Sequence, residues 1–156
     1  MNPIAISIQN CTKKFRGKKA VDNLSLNVEP GTVYGLVGNN GAGKTTTIKM
    51  LLGLLHPNQG QVLIFGLQPE KDTVEIMKRI GYVSENRELY EWMTLSEILW
   101  FNSQFYETWD KELVQKTLVS LDLNPAIKIK HLSRGSRAKV AMLLAIGHRP
   151  DLLILD

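Results

Sequence analysis

Gly38-Asn39-Asn40-Gly41-Ala42-Gly43-Lys44-Thr45 is the stretch whose reading decides the fold. It fits G-x-x-x-x-G-K-[ST], the phosphate-binding P-loop pattern. The apolar residues 32–37 (TVYGLV) before it read as a strand. After it a helical pattern runs from about Gly43 to Leu55, with Ile48, Leu51, Leu52 and Leu55 at i, i+3, i+4, i+7. Each residue type has a physical role in holding phosphate. The glycines let the backbone curl so that successive N–H groups face one anion. The helix start adds a positive dipole end. Lys44 offers a mobile cation for β- and γ-phosphate oxygens, and the Thr45 hydroxyl can ligate Mg²⁺. A plain glycine-rich strand-to-helix turn is the alternative, and the flanking strand and amphipathic helix count against it.

Outward from the loop, residues 4–9 and 18–28 alternate as strands, with Asp22-Asn23 as a turn signal. Pro30-Gly31 breaks the chain, and Pro57 with Gly60 ends the helix. Residues 61–65 and 80–83 read as short strands and 71–79 as a short helix. From Thr94 the pattern turns helical. Thr94-Leu-Ser-Glu97 is a capping box. Asp110 can cap a second helix, which Asn124-Pro125 bounds, and Ser133 can cap a third that ends near Gly147. Residues 151–156 (DLLILD) read as a fully buried parallel strand between two acids. Ending on such a strand suggests a piece of a longer chain.

Composition bounds the class. The chain has 156 residues, 44% of them hydrophobic and 22% charged, close to the average for a globular domain. The longest apolar run, residues 140–147, is far below the ~20 residues that span a bilayer. The amino terminus lacks the basic and apolar regions of a signal peptide, so a cytoplasmic location is expected. The single Cys11 carries no catalytic pattern and reads as a small core residue. Net charge is +4, and five of the seven residues 13–19 (KKFRGKK) are basic. That run is either an anion-binding patch or a solvated hairpin tip. With only Phe15 interleaved, the hairpin tip is the better account, and no nucleic-acid partner is expected.

Leu132-Ser133-Arg134-Gly135-Ser136, followed by RAKVAMLLAIGHRPDLLILD, resembles the signature helix and Walker B strand of an ABC-type ATPase. Phe15 sits where that family has its adenine-stacking aromatic, and the segment from Gly81 to Glu85 (GYVSE) sits where it has its glutamine loop. The resemblance covers the whole chain in order and looks most like bacterial multidrug or antibiotic exporters. It implies an α/β P-loop core of the ABC ATPase type, with an amino-terminal antiparallel β subdomain and a helical insert, incomplete at the carboxyl end. The expected divisions are residues 1–31 (β subdomain), 32–84 (P-loop core), 85–147 (glutamine loop and helical subdomain with signature) and 148–156 (Walker B strand).

The resemblance also implies roles residue by residue. Phe15 would stack on the adenine of ATP, unless it is a strand core residue. Gly38, Asn39, Asn40, Gly41, Ala42, Gly43, Lys44, Thr45 and Thr46 would hold the phosphates. Thr45, Glu85 and Asp156 would hold Mg²⁺. Ser133, Arg134, Gly135 and Ser136 would contact the ATP of a second nucleotide-binding domain in a head-to-tail dimer, unless Ser133 is a plain helix cap. Three departures stand out. Glu85 replaces glutamine, Arg134 and Ser136 replace glycine and glutamine, and the chain stops at Asp156, before the family's catalytic glutamate and switch histidine. No catalytic residue is therefore expected within it. None of His56, His131 and His148 can stand in, and His148 reads as a helix-end residue favoured by the dipole.

Seven of the eleven aromatic residues fall between Tyr90 and Trp109. Ile98, Phe101 and Phe105 share one helical face, as the core of a small subdomain. The sharper reading gives Tyr90, Trp92 and Met93 to a groove for the transmembrane permease, placing the protein on the inner face of the membrane. The functional expectation is an ATP-binding subunit of an ABC transporter that, when intact, hydrolyses MgATP to drive export. The alternatives are a soluble ABC ATPase of repair or translation, or a binding-only fragment.

Overall fold

The computed structural model describes residues 4–86 and 89–156, so the first three residues of the amino-terminal reading lie outside it. The chain divides into two compact units, residues 1–77 and 78–156.

The first unit is built on a three-stranded antiparallel sheet. β1 (Ile6–Phe15) lies between β2 (Lys18–Val28) and β3 (Gln59–Ile64). Phe15 pairs with Lys18, which leaves Arg16-Gly17 as a two-residue turn with φ of 46° and 82°. Two positive φ values match the right-handed twist of the flanking strands. The basic run is therefore a hairpin tip, as expected. Asp22-Asn23 is not the turn. It lies inside β2, where the pairing with β1 shifts register and Asn23 takes φ 48° while its N–H donates to Thr12 Oγ1 at 3.0 Å. A left-handed Asn serves a bulge as well as a turn, and the local sequence does not separate the two. Cys11 is fully buried, with its thiol on the Gln61 carbonyl at 3.1 Å.

α1 (Lys44–Leu51) follows the glycine-rich loop and is shorter than the periodicity predicts. Leu52 caps it, and Gly53 turns the chain away at φ 70°. The run 32–37 does not form a strand. Val33 and Val37 are 104% and 95% exposed. Apolar β-formers make a strand only where a neighbour completes the ladder, and among the described residues none pairs with this run. α2 (Thr73–Lys78) comes after β3.

In the second unit β4 (Ile80–Val83) and β5 (Leu152–Leu155) pair in parallel, with Ile80 opposite Leu152. α5 (Arg134–Ile146) packs on β4 so closely that a Cβ on Gly81 would clash with the Ala145 carbonyl. β5 is not buried on both faces as its composition predicts. Ile154 is buried, while Leu153 and Leu155 are exposed. Side chains alternate across a strand, and only one face is covered. α3 (Leu95–Ser103) and α4 (Lys111–Ser120) start at the expected caps. Thr94 and Glu97 form both halves of the capping box, and the Asp110 carboxylate accepts the Leu113 N–H at 2.8 Å. Leu95, Ile98, Leu99, Val114, Val140 and Leu143 are among the residues of one core joining α3, α4 and α5. Phe105 lies beyond the end of α3 and is exposed, so the expected face ends at Phe101. Among the described residues no helix is long and apolar enough to cross a membrane.

Candidate functional site

In the first unit the site is the loop that opens α1. Gly41 and Gly43 sit at φ 83° and 91°, so the loop curls through two left-handed positions. At Gly43 a side chain is excluded as well, because a Cβ would clash with the Ala20 carbonyl. The loop thus runs too close to β2 at this point for any side chain. Gly43 is also the N-cap of α1 and supplies no side-chain cap, so the side-chain oxygen that usually covers a helix start is absent. The Lys44 ammonium lies across the loop and donates to the Gly38 and Asn39 carbonyls at 2.7 and 3.0 Å. Gly38, Asn39, Asn40 and Ala42 are exposed, and Thr45 and Thr46 are half-buried in the first turn. The loop borders a depression of about 470 Å³ whose other wall is β2. Phe15 is outside this lining. It ends β1 at the hairpin tip, 45% exposed, with the Lys13 ammonium 5.4 Å from its ring centroid. An exposed ring is not a core residue, which sets that alternative aside.

Lys19 and Asp22 also line the depression and pair at 2.8 Å, a feature the sequence reading missed. Residues three apart in a regular strand face opposite ways. The register shifts near Lys13 bring these two together, and no local sequence signal announces them.

In the second unit Ser133 caps α5, accepting the Ser136 N–H at 3.1 Å and lying 3.0 Å from the Ser136 hydroxyl. Ser133, Arg134 and Gly135 are exposed, and a Cβ on Gly135 would find only the Ser133 hydroxyl, at 3.9 Å. Arg134 and Arg137 line a depression of about 530 Å³ with Leu132, Glu85 and Asn86. The structure thus brings Glu85 beside the signature residues of its own chain. Asp156 follows β5 and donates its N–H to the Val83 carbonyl at 3.0 Å. Glu85 lies just beyond β4, so both carboxylates are at the carboxyl ends of two parallel strands, where open α/β sheets bind ligands. Burial, and then the Asp156 charge, push the nearby Tyr82 hydroxyl up. Among the described residues no group of three or more His, Cys, Asp and Glu could hold a metal by itself.

Tyr90 and Trp92 are 52% and 67% exposed. With Phe101 and Phe105 they make a chain of ring contacts, at centroid distances of 6.1, 5.8 and 5.1 Å. Met93 is half-buried against the helical core. His148 departs from expectation in part. It follows the end of α5, as expected, but as a buried ring, with Nε2 3.1 Å from the Ile80 carbonyl and Nδ1 without a partner. Burial pushes its imidazole down and outweighs the Ile80 carbonyl, which acts the other way.

The sequence profile described as ABC transporter matches residues 21–156. The bacitracin transport ATP-binding protein BcrA of Bacillus licheniformis is 39% identical over 153 residues, covering 97% of this chain and 50% of that protein. The chain thus spans about half the length of the curated relatives it matches. A solved ATP-binding subunit of an ABC transporter superposes with a TM-score of 0.88 at 26% identity, over 97% of this chain and 65% of that one. CbiO1 of Clostridium perfringens, part of the transporter complex CbiONQ, shares the fold with a TM-score of 0.80 at 20% identity, over 99% and 65% of the two chains. With the profile matched across the loop, the signature helix and β5, the chain belongs to the ABC transporter family.

Proposed function

We propose that this chain is the nucleotide-binding portion of an ABC transporter's ATP-binding subunit, and that the whole protein hydrolyses ATP to drive export. The observation that carries the reading is the loop itself. Gly43 is held against Ala20, α1 begins without a side-chain cap, and Lys44 lies across two carbonyls. Such a loop receives a polyphosphate. Backbone N–H groups from Gly38 to Thr46 take the anionic oxygens, and Lys44 exchanges its carbonyl contacts for β- and γ-phosphate. The exposed Phe15 ring stacks on adenine. The transport name of BcrA supports the membrane setting over a soluble repair or translation role.

Thr45 in the first unit, and Glu85 and Asp156 in the second, each supply oxygen donors of the kind that Mg²⁺ takes. The ion's chemistry is to neutralise charge on the β- and γ-phosphates. Ser133, Arg134, Gly135 and Ser136 meet the nucleotide of a second such domain, head to tail. The exposed rings of Tyr90 and Trp92, with Met93, receive the transmembrane permease, which holds the protein at the inner face of the membrane. We assign no residue of this chain as general base, so hydrolysis is proposed for the whole protein.

Calorimetry of MgATP binding to the chain and to Lys44→Ala tests the reading. Loss of a charge-assisted contact, roughly 1.5–3 kcal/mol, weakens binding about 10- to 150-fold. Equal affinities in two folded proteins overturn it.

A further inference from the structure

The guanidinium of Arg137 has three acceptors. Its Nη1 donates to Glu91 Oε1 at 2.6 Å, Nη2 to the Lys130 carbonyl at 3.3 Å and Nε to the Leu132 carbonyl at 3.4 Å. Two of these acceptors belong to the turn that enters Ser133. The third belongs to the segment carrying Tyr90, Trp92 and Met93. The backbones of the two stretches are also paired. Lys130 N–H donates to the Glu91 carbonyl at 3.1 Å, Ile129 N–H to Met93 at 2.9 Å and Leu95 N–H to Ile127 at 2.9 Å. Thr94 and Lys128 add a bridge.

We propose that Arg137 is a positioning residue: it straps the turn leading into Ser133 to the aromatic segment, so that the setting of the signature follows whatever docks on Tyr90 and Trp92. The geometry favours a strap over a simple ion pair. A planar fork reaches three acceptors at once, which a point charge on a flexible stem does not. The Glu91 carboxylate is 61% exposed and the Arg137 side chain 31%. A pair that exposed adds little to global stability, so its effect is local. The backbone pairing alone fixes the register of the two stretches. The turn from Lys130 to Leu132 remains to be held, and Arg137 takes the carbonyls at both its ends. The segment Glu91–Thr94 and the start of α5 then move as one piece.

The proposal rests on the reading of Ser133 and of the Tyr90–Trp92 surface given above. Hydrogen exchange tests it on the full chain, without nucleotide or membrane partner. In Arg137→Gln, amides of residues 129–133 and 91–95 exchange about 5- to 10-fold faster, while α4 amides are unchanged. Glu91→Gln reproduces part of this, and the double variant adds little to Arg137→Gln. Arg137→Lys restores protection only partly. Trp92→Ala speeds exchange at residues 130–133 in the wild type but not in Arg137→Gln. Unchanged exchange in both stretches, additive single effects or a parallel rise in α4 overturns the strap. MgATP calorimetry of the wild type keeps the two readings apart: failure to bind ATP overturns the nucleotide reading of the glycine loop, on which the role of Ser133 depends, while the exchange result still decides the strap.

Discussion

The imidazole of His148 lies stacked on the ring of Tyr106, with centroids 3.9 Å apart and planes 15° from parallel. Its backbone carbonyl accepts the Thr108 hydroxyl at 2.9 Å, and its Nε2 lies on the Ile80 carbonyl. One buried residue therefore joins the α3–α4 connection, the end of α5 and β4. Beside it, Arg149 pairs with Asp110.

Because Nδ1 is buried without a partner, a second proton on His148 finds no acceptor. The folded-state pKa is lowered, so the folded protein binds fewer protons than the unfolded one. Stability is then full above the ordinary imidazole range, near 6.5, and falls as pH drops through it toward the folded value, by at most about 1.4 kcal/mol per pH unit. His148→Phe keeps the stack but removes the proton. Urea unfolding at pH 7.5 and 5.5 is expected to show a smaller loss in the variant. The other two histidines are common to both proteins and cancel. Equal losses in both proteins would assign the pH dependence elsewhere.

Gly43 and Gly41 separate space from strain. Gly41→Ala meets nothing within 4 Å and costs only its positive φ, about 1 kcal/mol. Gly43→Ala bears the same strain and drives a Cβ into the Ala20 carbonyl, so a loss of about 2–4 kcal/mol is expected. Urea midpoints should rank wild type, Gly41→Ala, Gly43→Ala, with MgATP affinity lost most in the last.

Phe15→Ala is expected to leave the unfolding midpoint nearly unchanged, because the ring is 45% exposed. If the ring stacks on adenine, the substitution weakens ATP by roughly 1–3 kcal/mol and spares inorganic triphosphate. Competition binding of the two ligands measures the ratio, and an unchanged ratio would exclude the stack.

Gly147 lies under Trp109, where a Cβ would come within 2.6 Å of the indole. Gly147→Ala is expected to destabilise by about 1–3 kcal/mol and to shift the tryptophan emission of the folded state. An unaltered spectrum with an unaltered midpoint would mean that the indole moves aside freely.

The sequence by itself determined the elements whose signals are local. A capping box needs only Thr94 and Glu97 three residues apart, and the caps at Asp110 and Ser133 likewise act within one helical turn. The curled glycine loop before α1 was legible for the same reason, since Lys44 reaches carbonyls only five and six residues back. Tertiary structure alone decided what depends on neighbours distant in the chain. Residues 32–37 have strand composition and no partner in a ladder. Asn23 became a bulge because β1 sets the register of β2. His148 has the helix-end position that favours a cation, but its ring is stacked on Tyr106 and reaches the Ile80 carbonyl, both far from it in sequence, and burial pushes its imidazole down. Arg137 is one of three basic residues in the sequence of α5, and nothing local marks it out; the turn before Ser133 and the segment at Glu91 bring three acceptors to its guanidinium.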